Sequence, residues 1–108
     1  LQQKKYKEAL SSYQKALEIS PKHYWSWRGL GDIYLEQSNL PKAIDSYHHC
    51  VEIEPNYFYG HQRLGQIYQQ NQLFKEAVDC YKKALEIKPD SSEIQQRLKF
   101  CLQKSFEI

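Results

Sequence analysis

FKEAVDCYKKALEIKP, residues 74–89, decides the fold, because the chain writes this phrase three times. YKEALSSYQKALEISP (6–21) and LPKAIDSYHHCVEIEP (40–55) align with it without a gap, each 34 residues from the next. Ala9, Ala43 and Ala77 coincide, as do Tyr13, Tyr47 and Tyr81, and then Ile19, Ile53 and Ile87 ahead of Pro21, Pro55 and Pro89. A second phrase is interleaved at the same period. WSWRGLGDIYLEQ (25–37) and YGHQRLGQIYQQN (59–71) share Leu30/Leu64, Gly31/Gly65, Ile33/Ile67 and Tyr34/Tyr68. A period of this length marks stacked supersecondary units, none of which buries its apolar face alone.

Both phrases have helical spacing. Ala9, Tyr13, Ala16 and Leu17 lie on one stripe, and Trp27, Leu30, Gly31 and Tyr34 follow the i, i+3, i+4, i+7 pattern of one face. Each proline ends a helix, since it disfavours the α region for the residue before it and has no N–H to donate. Asp90 and Glu93 read as a capping box for a last helix. The expectation is six helices, near 5–20, 24–37, 40–54, 58–71, 74–88 and 91–106, with Tyr34, Tyr47, Tyr68 and Tyr81 filling the wedge between successive pairs. The pair Gly29-x-Gly31 lies inside a helix, with neither the preceding strand nor the third glycine of a phosphate loop. Gly31 reads as a close-packing residue; Gly29 has no evident purpose and is expected only to weaken its helix.

A 34-residue helix–turn–helix unit carrying Trp-x-x-Leu-Gly-x-x-Tyr, then Ala, an aromatic, a small residue and Pro, resembles the tetratricopeptide repeat. One unit reads Trp27, Leu30, Gly31, Tyr34, Ala43, Tyr47, Cys50, Pro55; the next reads His61, Leu64, Gly65, Tyr68, Ala77, Tyr81, Ala84, Pro89. The departures are Cys50 for alanine and His61 for tryptophan. The resemblance covers essentially the whole chain and implies an all-α solenoid of antiparallel helix pairs, a right-handed superhelix of about six helices. It divides residues 1–108, a single domain, into a half repeat (1–23), full repeats 24–57 and 58–91, and a C-terminal capping helix (92–108). Pentatricopeptide RNA binders share the repeat length but not this Trp/Leu-Gly/Tyr and terminal Pro pattern.

The resemblance also implies a concave groove lined by the first helix of each pair. Peptide-binding candidates there are Trp25, Arg28 and Asp32 from one helix, Tyr59, Gln62, Arg63 and Gln66 from the next, and Arg97 from the last, with Glu36, Gln70, Glu93, Gln96 and Phe100 beside them. Large aromatics with arginines and glutamines are the composition of a recognition surface. Some relatives clamp a partner's terminal carboxylate with lysine and asparagine at these places. Here Asp32 and Glu93 bring negative charge instead, and Asp32 is one turn from Arg28 and expected to pair with it. The expected function is a non-catalytic protein-interaction module whose partner is a protein or peptide segment. The alternatives are the scaffold arm of a larger enzyme, such as a bacterial glycosyltransferase or sulfotransferase, and a homo-oligomerisation module. Self-association would run through helix 5–20, whose Tyr13 and Leu17 have no preceding helix to cover them.

Other chemistry is not written in the chain. His48, His49 and Glu52 have i, i+4 spacing but supply too few ligands for zinc, and they read as solvated residues of an outer face. His23, at a helix start, reads as a cap or surface residue. No nucleophile–base arrangement can be assembled, so no catalytic residue, metal or cofactor is expected. A net charge of +2 with scattered lysines leaves no footprint for nucleic acid, and no run approaches the roughly eighteen apolar residues of a membrane span. Three widely spaced cysteines, Cys50, Cys80 and Cys101, suit apolar filling in a reducing compartment, hence a cytoplasmic expectation. A chain that opens on Leu1 and holds no methionine reads as an excerpt of a longer protein.

Overall fold

A computed structural model describes residues 2–107; the expected outer bounds, residues 1 and 108, lie outside the described residues. Among these there are six helices and no strand: α1 (Gln2–Ile19), α2 (Tyr24–Glu36), α3 (Leu40–Ile53), α4 (Phe58–Gln70), α5 (Phe74–Ile87) and α6 (Ser92–Phe106). Pro21, Pro55 and Pro89 each follow a helix end by two residues, as their chemistry requires. The chain divides after Pro55 into two compact units. In the first, α2 packs on α1 and α3; in the second, α5 packs on α4 and α6.

The turns inside the two helix pairs are copies of each other. Ser38 and Gln72, 34 positions apart, both take a left-handed backbone, with φ of 60° and 63°. That conformation lets the following amide reach back: Asn39 N–H donates to Tyr34 O at 2.8 Å and Leu73 N–H to Tyr68 O at 2.8 Å. Glycine normally holds this place because it has no Cβ to crowd the carbonyl. Neither residue is glycine, so the turn left no mark that sequence reading could find. Asn39 also caps α3 by accepting from Lys42 N–H at 3.4 Å. The last helix is capped by Ser91, whose hydroxyl accepts from Ile94 N–H at 3.5 Å. Ser91 thus takes the capping place expected of Asp90, and Glu93 turns to Arg97 at 3.3 Å instead of back to the cap.

The core of each pair is a tyrosine ring lying on a glycine. Tyr47 and Tyr81 are fully buried. A Cβ on Gly31 would stand 2.8 Å from Tyr47 Cε1, and one on Gly65 would stand 2.5 Å from Tyr81 Cε1. These rings therefore fill the inside of a pair, not the wedge between successive pairs where they were expected. Ala43, Cys50, Ala77 and Ala84 flank them, also fully buried. Gly29 repeats the device towards α1: a Cβ there would stand 2.2 Å from Tyr13 Cζ. The glycine that seemed to serve nothing is the seat of the α1 tyrosine, which gives α1 a partner on the side of α2. Ala9, Tyr13 and Ala16 are half-buried, where their equivalents in α3 and α5 are fully buried.

All three cysteines are free thiols, Cys50 and Cys101 being fully buried. Burial pushes Cys50 and Cys80 from 9.0 up to about 12 and raises Cys101 as well; burial also takes Tyr81 from 10.0 up to about 12, against the pull of Arg97. Each group keeps its proton longer folded than unfolded. Their contribution is whole below pH 9.0 and is lost as pH rises from there towards about 12. Urea midpoints measured between pH 8 and pH 11 should therefore fall steadily on the alkaline side, and a flat profile would contradict these burials. Alanine at Gly65 should gain about 1 kcal/mol of helix propensity yet lose about 1–3 kcal/mol to overpacking, a net loss because the Tyr81 ring cannot leave. Alanine at Gly29 meets the far end of a half-exposed tyrosine. Its midpoint should change little, while hydrogen exchange in α1 speeds up.

Candidate functional site

Of the residues expected to bind, Trp25, Arg28 and Asp32 lie on α2, Tyr59, Gln62, Arg63 and Gln66 on α4, and Arg97 on α6. Within the first unit, Trp25 is 57% exposed and makes a tilted contact with the Tyr24 ring, centroids 6.0 Å apart. Arg28 Nε pairs with Asp32 Oδ2 at 3.5 Å, as expected from their spacing. Asp32 also accepts a hydrogen bond from the hydroxyl of Tyr47. The buried ring that closes α2 on α3 thus ends in a hydroxyl that holds the Asp32 carboxylate in place.

In the second unit Tyr59 is half-buried, and the Arg63 guanidinium lies over its ring at 4.8 Å from the centroid. Arg63 Nη1 donates to Gln66 Oε1 at 3.0 Å. Gln62 is half-buried. Arg97, on α6, pairs with Glu93 at 3.3 Å and donates to Gln69 Oε1 at 3.3 Å, the same oxygen that accepts from Tyr81 O–H at 2.6 Å. Tyr59, Arg63 and Gln66 therefore form one cluster, and Arg97 joins a second through Gln69.

That second cluster borders a cavity of about 550 Å³. Its walls include Gln69, Gln70, Phe74, Arg97, Phe100 and Lys104. Phe74 and Phe100 meet edge to face at 6.1 Å, and Lys104 Nζ stands 5.6 Å from the Phe100 centroid. An aromatic wall beside two cations and several amides suits a segment carrying an apolar side chain next to an acceptor-rich group. Gln69, Phe74 and Lys104 were not among the expected residues. Gln69 sits one turn beyond the position equivalent to Asp32, which is Gln66, and repeat alignment cannot foresee that shift.

Three of the histidines have defined places. His61 is buried in the place of a tryptophan, and His23 stands at the start of α2 with Nδ1 2.7 Å from Ser26 Oγ. His49 was expected on a solvated outer face; it stacks on Trp27 instead, ring centroids 4.1 Å apart, with Nδ1 2.9 Å from Asp45 O. The Trp27 indole N–H donates to Pro21 O at 3.2 Å. Among the described residues no group of three His, Cys, Asp or Glu side chains could hold a metal ion, and no helix is long and apolar enough to cross a membrane.

Sequence models described as Tetratricopeptide repeat match residues 1–46 and 58–91, and one described as TPR repeat matches 31–72. No curated protein sequence matches the chain. Solved structures share its fold, two of them as follows. The first TPR of Spaghetti (RPAP3), bound to HSP90 peptide SRMEEVD, is 24% identical with a TM-score of 0.81, over 94% of this chain and 81% of that one. MamA protein is 19% identical with a TM-score of 0.84, over 93% of this chain; the chain spans 55% of that structure's length.

The Tyr81–Gln69–Arg97 link supplies a test. Tyr81→Phe should cost about 1 kcal/mol, as for a lost hydrogen bond. In a double-mutant cycle with Gln69→Ala the two losses should be less than additive. Additive losses would show that the hydroxyl and the amide act separately.

Proposed function

Since the chain belongs to the tetratricopeptide repeat family, we propose that it is a non-catalytic interaction module that binds a peptide or protein segment on the first helices of its pairs. The reading rests chiefly on the arginine arrangement. Arg28, Arg63 and Arg97 are each held by neighbours: Asp32, Gln66 with the Tyr59 ring, and Glu93 with Gln69. Side chains fixed before binding lose less entropy on binding, so such rows favour recognition over mere solvation.

The roles follow from exposure. Trp25 is the apolar anchor, and Arg28, Asp32, Gln62, Arg63, Gln66 and Arg97 are the polar contacts. Tyr59 acts as the platform under Arg63. That the first TPR of Spaghetti was solved with a peptide supports the class of ligand and leaves its identity open. Asp32 and Glu93 argue against a ligand held by its terminal carboxylate, because each would set a negative charge against it. Arg63 and Arg97 suit acidic side chains within a segment.

The test is capture of partners from lysate by the purified chain, with Trp25→Ala and Arg97→Ala as separate variants. Truncating a true hot spot costs at least about 2 kcal/mol, so each should lower capture by more than about tenfold while the thermal midpoint stays within a few degrees. Unchanged capture by both folded variants would overturn the assignment.

A further inference from the structure

On the other side of α2 the first unit holds a second cavity, of about 540 Å³, lined by residues of α1, α2 and α3. Its apolar wall is Leu17, Trp27, Leu30 and Tyr34, and Glu18, Lys42 and Asp45 also line it. At about 100° per residue, Trp27, Leu30 and Tyr34 face away from Trp25, Arg28 and Asp32, so this cavity and the surface proposed above are separate.

Two observations say what the cavity takes. The first is charge: two carboxylates, Glu18 and Asp45, stand against one ammonium, Lys42. The second is that its aromatic rings already attract nitrogen groups of the chain itself. Lys42 Nζ stands 5.5 Å from the Tyr34 centroid, and His49, beside Asp45 at 3.6 Å, stacks on Trp27. Tryptophan and tyrosine faces draw cations through their quadrupole, and nearby carboxylates add to the pull. A volume of this size admits one or two side chains.

We propose that this cavity is a second docking site, for a basic segment of a partner protein that inserts an arginine or lysine stem beside an apolar neighbour. The aliphatic stem lies along Leu17, Trp27 and Leu30, and the charge meets Glu18 and Asp45. Lys42 is the internal competitor for the same ground, so removing it strengthens the site.

The probe is the capped tripeptide acetyl-Leu-Arg-Leu-amide, titrated into the isotope-labelled chain by NMR, with acetyl-Leu-Glu-Leu-amide as its opposite. The arginine peptide should give saturable shifts at the Trp27 indole N–H and at the amides of Leu17, Lys42 and Asp45. The glutamate peptide should bind about tenfold more weakly or worse. Glu18→Gln with Asp45→Asn should weaken the arginine peptide about fivefold, and Lys42→Gln should strengthen it about twofold. The gain expected of Lys42→Gln keeps the test sound if the double variant is less stable. Non-saturable shifts, equal binding of the two peptides, shifts centred on Trp25 and Arg28, or weaker binding by Lys42→Gln would each overturn the proposal. So would shifts that follow protein concentration alone, which would give the cavity to a second copy of the chain.

Discussion

A tyrosine ring packed against a glycine sets the distance between the helices of each pair, and most else in the structure depends on that distance. With no Cβ at Gly31 or Gly65, the partner helix comes near enough to bury Tyr47 or Tyr81 completely. Only small residues then fit alongside, which is why alanine and Cys50 flank the rings. The same ring also reaches the outer surface. Its hydroxyl reaches back to the first helix and bonds Asp32 in one pair and Gln69 in the other. Core packing and the aim of the polar row are therefore two ends of one side chain.

This coupling explains why the fold was legible in the chain and the site only partly so. The glycines, tyrosines, alanines and prolines recur at one period because each answers the same steric demand in every unit. Gly29 does not recur: 34 and 68 positions later stand Arg63 and Arg97. Its reason is a contact with Tyr13 that only the folded structure reveals. The turn residues Ser38 and Gln72 recur in conformation but not in type, since the left-handed place can be held by an ordinary residue once the helices on both sides are fixed. The cap at Ser91, one residue past Asp90, is the kind of boundary shift that two adjacent capping residues leave undecided.

Differences between equivalent positions set the polar surfaces that the shared core leaves open. Asp32 and Gln66 are equivalents, yet Asp32 takes the tyrosine hydroxyl and Gln66 is taken by Arg63. Tyr81 then turns to Gln69, one helical turn on, and draws Arg97 into the same group. Two pairs with the same core thus present different polar surfaces, one centred on an arginine–carboxylate pair and one rich in amides and arginine. Lys99 stands on α6 where Gly31 and Gly65 stand on α2 and α4, and the residue is exposed. Arg97, Phe100 and Lys104 of the same helix line the cavity beside Gln69.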